Sequence, residues 1–498
     1  MPLRPPSASP AGEPATGAYA ASPRSSALAR TLRTLDYFAL AFGTMVGVGW
    51  LVLIDDWLTR GGPAGAMLGF LIGGVTLVPV AHVYGKFVHE MRDASSEAAY
   101  AGSVFPAPVS FLAGWMMTLA YLIVCPWEAV AVGKVAAYAF PGIRNLRLYS
   151  IGGFPVYLPA LLLGVALTAA IVLLNYRGVR PSARLQNATT LALLALFALF
   201  SILGLGHAQA ANYRPLFAHA GTPLRELVSI VLVLQIVPYF LTGFESVSKT
   251  SEEAAEGYAS RGFVRAIYLA LAAGSLFYVV IVGVVAGLVP WQSLEHERYA
   301  TAVAFQRAFG SPWLVRVILV AALASLVKVF NANFVAASRL VFGLGRRGAI
   351  PAATARIHPE FLTPGVAILL CGCVTLLGAL LGDSILVPVT EVGSLCSAIG
   401  WLVTCAAYVR WRRSGSTPTG RSRDLAVAWI GAAVALVFLL LKVIPAVPGS
   451  FGRWEYVALA AWLGLGVLLH GFSSSAAAPR GLAARPSSQE RTRGYRSR

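Results

Sequence analysis

Long apolar blocks separated by short polar stretches occupy almost the whole chain. A helix of about 20 apolar residues crosses the ~30 Å hydrocarbon core of a bilayer, and the blocks have this length. They are continuous and do not alternate between apolar and polar positions, so they predict membrane helices and not barrel strands. Twelve such blocks are present, over residues 37–53, 66–87, 111–140, 155–174, 188–205, 227–244, 266–289, 313–342, 366–381, 389–408, 425–444 and 456–470.

The spacing of these blocks predicts an all-α integral membrane protein with four parts. Ten helices form a core over 34–411, and two additional transmembrane helices follow over 424–472. Polar tails remain at 1–33 and 473–498. The first tail is rich in Pro, Ala and Ser and has no apolar run, so we expect it to be disordered and not a signal peptide, and the second tail resembles it.

The distribution of basic residues predicts the orientation in the membrane. An even number of spans places both termini on the same side. The loops and tails on that side hold 27 Lys and Arg residues, against about 10 on the other side. The positive-inside rule therefore predicts a multi-pass protein of the cytoplasmic membrane with both termini in the cytoplasm.

Composition supports the membrane class and argues against other functions. Hydrophobic residues make up 57% of the chain, charged residues 12%, and the mean hydropathy is +0.70. The net charge of +18 is dispersed over loops without interleaved aromatics, so no nucleic-acid binding is expected. The five cysteines lie in apolar blocks and predict buried thiols, and no metal site or cofactor is expected. The sequence shows no cluster of catalytic groups at one depth, so a membrane enzyme is not expected.

The first block contains the stretch FGTMVGVGW, in which three glycines interrupt a helix. An interior glycine weakens a helix by roughly 1 kcal/mol relative to alanine. Gly43 and Gly47 alone fit a close helix-packing motif. The third glycine, Gly49, and Thr44, which follows Gly43, favour a locally unwound segment whose freed backbone groups bind a ligand.

A second interrupted segment, VPYFLTGFES, lies in the sixth block. Pro238 and Gly243 flank a short apolar stretch that ends in Glu245. The two segments occupy corresponding positions if 34–205 and 225–411 are copies of one unit. Five spans are an odd number, so the second copy would be inverted, an architecture found in many secondary transporters.

Four motifs resemble the amino acid-polyamine-organocation superfamily of permeases, which has the leucine-transporter-like fold. GTMVGVGW resembles the glycine-rich motif of its first helix, and LTGFES resembles the signature of its sixth. The stretches 124–141 and 331–351 are similar to its third helix and to the end of its eighth. One departure is Ser95-Ser96-Glu97, where many members have a Gly-Gly pair.

The resemblance implies roles for particular residues. The amides of Thr44 to Gly49 would hold a substrate carboxylate, and carbonyls near Gly43 and from Tyr239 to Thr242 would hold its amino group. Tyr239 would be a gate, or else a core aromatic. The expected substrate-binding residues are Gly43, Thr44, Met45, Val46, Gly47, Val48, Gly49, Tyr239, Phe240, Thr242 and Gly243.

Four further residues are candidates for coupling or gating: Lys328, Glu128, Asn331 and Glu245. Sodium-coupled members of the fold build a cation site near Lys328, so we hypothesise that its ammonium replaces the ion and makes sodium unnecessary. Proton coupling or exchange would then remain. Alternatively, Lys328 pairs permanently with Glu128. Glu245 couples transport to protons or helix movement, or is a structural carboxylate.

The resemblance therefore implies a secondary active transporter that moves amino acids by alternating access. The expected partners are a small amino acid or amine, the lipid bilayer and possible protons. Two alternatives stay open: an exchanger of polyamines or organic amines, and a sensor that binds amino acids on the same scaffold without transporting them.

Overall fold

The computed structural model describes residues 28–295, 297, 299–414 and 422–477, and most of these are helical. Most of both predicted tails, 1–27 and 478–498, lies outside the described residues. Within this part, ten helices are long and apolar enough to cross a membrane. The other two predicted blocks form a 15-residue apolar helix, Gly365–Ala379, and a helix that is broken in its middle.

Between residues 28 and 207, the described part of the first half, the chain forms eight α-helices and a small hairpin. They are α1 (Thr34–Met45), α2 (Gly49–Val52), α3 (Ile54–Glu90), α4 (Glu97–Gly102), α5 (Ala107–Leu122), α6 (Val124–Ala139), β1 (Arg147–Ile151), β2 (Phe154–Tyr157), α7 (Leu158–Tyr176) and α8 (Val179–His207).

The second half begins with the broken helix and ends with two long helices. Its helices are α9 (Pro223–Leu234), α10 (Val237–Leu241), α11 (Ser246–Lys249), α12 (Ser260–Leu288), α13 (Ala300–Phe309), α14 (Pro312–Arg346), α15 (Gly365–Ala379), α16 (Leu386–Arg413), α17 (Ser422–Val443) and α18 (Arg453–Ala477).

Three features of the observed helices and strands differ from the predicted blocks. The third block divides at Ile123, between α5 and α6. The backbone inside α3 is non-helical at Gly62, whose φ of 65° suits glycine, and Pro63 starts the next helical stretch. The antiparallel β1–β2 hairpin was not expected, and its second strand takes up residues 155–157, the start of the fourth predicted block.

An aromatic cluster forms the core beside both interrupted helices. Phe70 of α3 stacks on Tyr278 of α12 with ring centroids 4.7 Å apart. Trp57 and Phe240 meet edge to face at 4.9 Å. Because all four rings are buried, they hold α3, α10 and α12 in a fixed arrangement around the site described below.

Buried ion pairs close the end of the molecule where α14 terminates. The Arg339 guanidinium lies 2.8 Å from the Glu253 carboxylate, and both side chains are buried. Burial raises the pKa of the Glu253 carboxyl, and Arg339 opposes that rise. Burial also favours the neutral form of Asp93, but the guanidinium groups of Arg347 and Arg346 outweigh it and lower the Asp93 pKa. The charges therefore bind α14 to the segments around Asp93 and Glu253.

A smaller cluster closes the opposite end. Arg60, which precedes the Gly62 kink, lies 3.4 Å from the carboxylate of Glu391 on α16. Lys442 of α17 pairs with the other oxygen of the same carboxylate. One carboxylate thus joins the chain before the kink to α16 and α17.

Candidate functional site

The first interrupted helix is open between Met45 and Gly49, as the glycine pattern indicates. The Val46 N–H still bonds the Phe42 carbonyl, but Val46 itself is extended, with φ −100° and ψ 94°. The space around Gly49 explains why glycine is required, since a Cβ there would lie 2.9 Å from a Phe240 ring carbon. The backbone therefore changes direction within three residues and starts again as α2.

Every carbonyl that the break frees, from Gly43 to Gly47, accepts a hydrogen bond from a side chain. Asn333 of α14 donates to Thr44 O at 3.3 Å, and Tyr278 of α12 donates to Met45 O at 2.6 Å. Ser325 of α14 donates to Gly47 O at 2.8 Å. Since a buried backbone acceptor without a partner is costly, these donors stabilise the unwound conformation.

Lys328 donates hydrogen bonds to the remaining two carbonyls, those of Gly43 and Val46. Its ammonium lies 2.5 Å from Val46 O and 3.4 Å from Gly43 O, and its side chain is fully buried. The ammonium also lies 5.1 Å from the centre of the Phe42 ring. Among the described residues it forms no ion pair with Glu128 or any other carboxylate, so the structure does not support the permanent Lys328–Glu128 pair.

The second interrupted helix is open between Leu241 and Ser246. Gly243 has φ 142°, a conformation that residues with a side chain rarely adopt. A Cβ on Gly243 would lie 2.7 Å from the Thr44 Cβ, so the two breaks touch here. The buried Glu245 accepts a 3.0 Å hydrogen bond from the Gly243 N–H and so closes this turn.

A narrow, buried cavity lies between the two breaks, α5, α6, α12, α14 and α16. Eight of the predicted residues line it: Thr44, Met45, Gly47, Gly49, Glu128, Tyr239, Phe240 and Thr242. Seven residues that the sequence did not single out complete the wall: Ala120, Val124, Trp127, Tyr278, Val329, Asn333 and Ser397. Because aromatic rings and backbone dominate this wall, it offers both apolar and polar contacts to a ligand, and the cavity of about 20 Å³ must widen to admit anything much larger than a water molecule.

The other predicted residues lie behind this wall. Gly43, Val46, Val48, Gly243, Glu245 and Lys328 support the breaks without lining the cavity. Asn331 faces away from the site, since its amide oxygen accepts hydrogen bonds from Asn175 and Ser182, both at 3.0 Å. Its amide nitrogen donates to Gln186 at 3.1 Å. In this structure Asn331 therefore joins α14 to α7 and α8, and it does not contact the position of the Lys328 ammonium.

The sequence did carry a signal for the donors that were missed. Ser325 and Asn333 are buried polar residues in the middle of α14, on either side of Lys328 and Asn331. Polar residues inside a span are expensive, so this run of polar positions indicates a functional role. Tyr278 had no such signal, because its ring alone fits an apolar helix.

Glu128 differs from the other buried acids of the site. It lines the cavity, is 2% exposed, and has one carboxylate oxygen without a hydrogen-bond partner among the described residues. Glu245 also has one oxygen without a partner among the described residues, but its other oxygen accepts a hydrogen bond from the backbone of its own turn, and it does not line the cavity. The cavity therefore contains a carboxylate that forms no close ion pair among the described residues, although the charge of the nearby Lys328 ammonium acts on it.

Comparison with known proteins agrees with the geometry. Residues 32–468 match the family described as amino acid permease. The methylthioribose transporter of Bacillus subtilis (strain 168) is 27% identical over 359 residues, which cover 69% of this chain and 73% of that protein. The branched-chain amino acid permease BcaP of the same organism is 22% identical over 469 residues, covering 91% and 94%. Cationic amino acid transporter 4 of Mus musculus is 29% identical over 395 residues, covering 78% and 61%. The resemblance is thereby confirmed, and the chain belongs to the amino acid permease family.

Proposed function

We propose that the protein is a secondary active transporter that carries an amino acid across the cytoplasmic membrane by alternating access, without sodium. The observation that carries this proposal is the pair of interrupted helices that touch at Gly243 and enclose one buried cavity. A break in mid-membrane is tolerated where it lines a cavity, and two facing breaks are an arrangement that binds substrates in transporters.

The cavity offers groups of both signs to a zwitterionic substrate. The N–H groups at the start of α2 have no acceptor within the helix, as at every helix N-terminus. Gly49, the first residue of α2, lines the same cavity as Glu128, Tyr239 and Thr242. A carboxylate at the α2 amides and an ammonium at the opposite side would match this distribution of charge.

Lys328 supports the sodium-independent mode. A sodium ion binds carbonyl oxygens, and the Lys328 ammonium is hydrogen-bonded to two carbonyls of the first break. A fixed positive charge there would replace the ion. Coupling would then come from protons or from exchange, with Glu128 and Glu245 as the buried acids nearest the breaks.

The full topology is part of the proposal. Ten described helices, the broken α9–α11 segment and the short α15 would make twelve spans, with repeats over 34–205 and 225–411 in inverted orientation. The bias of basic residues supports cytoplasmic termini.

The relatives' names support an amino acid as substrate but do not agree on which. They specify branched-chain, cationic and aromatic amino acids, and one specifies methylthioribose. The cavity wall contains Trp127, Tyr239, Phe240 and Tyr278, which favours a neutral amino acid with an apolar side chain.

The decisive experiment uses purified protein in liposomes with a panel of labelled amino acids and amines under imposed proton and sodium gradients. We expect uptake of at least one amino acid that does not respond to sodium. Lys328→Met should abolish this uptake, because it removes the charge and both hydrogen bonds that the ammonium donates to the first break. Sodium-stimulated uptake by the wild type, or full activity of the variant, would contradict the role given to Lys328.

The same panel distinguishes the alternatives. An exchanger of organic amines would take up amines without competition from amino acids. A sensor would bind amino acids in the detergent-solubilised state and show no flux in liposomes.

A further inference from the structure

We propose that the buried ion pair between Glu97 and Lys249 holds α11 closed against α4, and that it sets how readily the chain opens from the second break toward the end where α14 terminates. This inference rests on the proposed function, because such an opening serves transport only if the protein alternates access. It concerns the segment in which the chain departs from the permease pattern, since Ser95-Ser96-Glu97 stands in the place of a Gly-Gly pair.

The ion pair joins the second half of the broken helix to the first half of the chain. Lys249 is the last residue of α11, and Glu97 is the first residue of α4. Neither side chain has any exposed surface, and the Lys249 ammonium contacts the Glu97 carboxylate directly. Because separating a buried ion pair leaves two charges without compensation, α11 can leave α4 only if both charges gain new partners or water.

Two tyrosines complete the surroundings of the ammonium. The Lys249 nitrogen lies 5.2 Å from the ring centre of Tyr84 on α3 and 5.0 Å from that of Tyr121 on α5. The Tyr84 hydroxyl also donates a 2.7 Å hydrogen bond to the Glu97 carboxylate. Aromatic faces attract a cation, and the attraction is stronger out of water. Three helices of the first half therefore bind the single charge of α11.

The ion pair is also connected to the second break itself. The Lys249 nitrogen lies 3.3 Å from the carbonyl oxygen of Glu245, the residue before α11. The Glu245 carboxylate in turn accepts the hydrogen bond from the Gly243 N–H that closes the turn. Neither Glu97 nor Lys249 lines the cavity, so both are positioning residues that act on the break through α11.

A second contact lies one residue earlier in both segments. The hydroxyl oxygens of Ser96 and Ser248 are 2.6 Å apart, so residues 96 and 97 pair in turn with residues 248 and 249. Ser96 has φ 42°, a backbone conformation that favours glycine. A residue with a side chain keeps such a conformation only where its surroundings hold it. The chain therefore gives up the backbone freedom of glycine here and gains two contacts with α11.

Two further ion pairs lie beyond α11, and they are less suited to control its opening. Glu252 pairs with Arg346, whose side chain is 37% exposed, so water can take over that charge. Glu253 pairs with the buried Arg339, but Glu253 belongs to the turn after α11 and contacts α14 instead of α4. Of these three pairs, the one formed by α11 itself is the nearest to the second break along the chain.

The test measures hydrogen–deuterium exchange by mass spectrometry on purified wild type, Glu97→Gln, Lys249→Met and the double variant. Backbone amides exchange when their segment opens locally, so peptides that cover 246–253 report the opening of α11. Peptides from α14 are an internal reference, and the melting temperature reports global stability. Glu297→Gln, which breaks the exposed ion pair with Arg307, is the matched control.

In each single variant, we expect exchange over 246–253 to become at least about tenfold faster, because the remaining partner is a buried charge without its counter-ion. In the double variant, the acceleration should fall short of the product of the two single effects by about tenfold or more, since no lone charge remains. Exchange in α14, and exchange throughout Glu297→Gln, should stay within about twofold of wild type.

Exchange over 246–253 within about twofold of wild type in both single variants would overturn the inference, and so would single effects that multiply in the double variant. A purely structural role would accelerate exchange in α14 and α11 alike and lower the melting temperature, which also overturns it. If a single variant cannot be purified in folded form, the double variant decides, and a wild-type rate over 246–253 would then contradict the role of the pair.

Uptake of labelled amino acids in liposomes is measured on the same preparations. The absence of any uptake by the wild type would refute the proposed function, whereas the exchange data would still decide whether the ion pair holds α11 closed. Uptake by the wild type together with unchanged exchange in the single variants would leave the proposed function standing and refute this inference alone.

Discussion

Both interrupted helices leave backbone groups without helical hydrogen bonds, but different residues bond those groups at each break. At the first break, the freed carbonyls are satisfied from outside, by Lys328, Ser325 and Asn333 of α14 and by Tyr278 of α12. At the second break, the turn is closed largely by its own chain. Glu245 accepts the Gly243 N–H, and the Thr242 hydroxyl lies 2.6 Å from Pro238 O and 2.5 Å from the Ser397 hydroxyl of α16.

This difference has a mechanical consequence. The first break is tied to α14 by several hydrogen bonds, so a movement of α1 relative to α14 must exchange those bonds for others. The second break keeps its shape if α10 and α11 move together, because its closing bonds are internal. Gly243 is where the two meet, so it should be the most sensitive single position.

The largest effect is expected for Gly243→Val. A valine at φ 142° is strained by about 1–3 kcal/mol, and its Cβ would lie 2.7 Å from Thr44 Cβ and 3.0 Å from Met45 N. Both breaks would be displaced, so uptake should fall by roughly a hundredfold or more and the melting temperature should fall as well. Gly206→Val is the control, since that helical glycine has open space around it. Retention of more than half of wild-type uptake would show that the breaks do not touch as described.

The next effect in size is expected for Gly47→Leu. Its Cβ would meet only side-chain atoms, Val329 Cγ1 at 3.0 Å and Glu128 Oε1 at 3.1 Å, and the rest of the leucine would enter the cavity. Ligand binding should therefore be lost while the protein stays folded, with a melting temperature within about 4 °C of wild type. Gly206→Leu controls for the added bulk. Unchanged affinity for the transported amino acid would place the substrate elsewhere.

The sequence predicted the breaks well because glycine and proline act locally. The first break lies between Met45 and Gly49, inside the predicted stretch, the second lies between Leu241 and Ser246, at the end of the predicted Pro238–Gly243 segment, and eight predicted residues line the cavity. What was missed depends on contacts between distant segments. Nothing near Tyr278 in the sequence indicates that its hydroxyl bonds Met45 O, 233 residues away. Asn331 was placed near the cation position by its distance from Lys328 along the chain, but its amide bonds α7 and α8 and does not contact the Lys328 ammonium.

A moderate effect is expected for Ser325→Ala, which tests whether the first break depends on α14. The substitution removes the 2.8 Å hydrogen bond to Gly47 O in a fully buried position. Leaving a buried acceptor with a missing donor costs about 1–3 kcal/mol, so both stability and uptake should fall measurably. Chemical or thermal unfolding of purified protein, together with initial rates of uptake, gives the two readouts. An unfolding free energy within error of wild type would mean that water or a neighbouring group replaces the serine.

The smallest effect is expected for Ser397→Ala, the matching change at the second break. Ser397 is as well buried as Ser325, and its hydroxyl contacts Thr242, but Thr242 also lies within hydrogen-bond distance of Pro238 O. The Thr242 hydroxyl can therefore keep a partner inside its own segment, and the loss should stay below about 1 kcal/mol. When both variants are measured under the same conditions, the difference between their losses of stability shows how much more the first break depends on its neighbouring helix than the second does. If Ser397→Ala lowered stability more than Ser325→Ala, the second break would depend on α16 at least as strongly as the first depends on α14. The difference that the hydrogen bonds indicate between the two breaks would then be wrong.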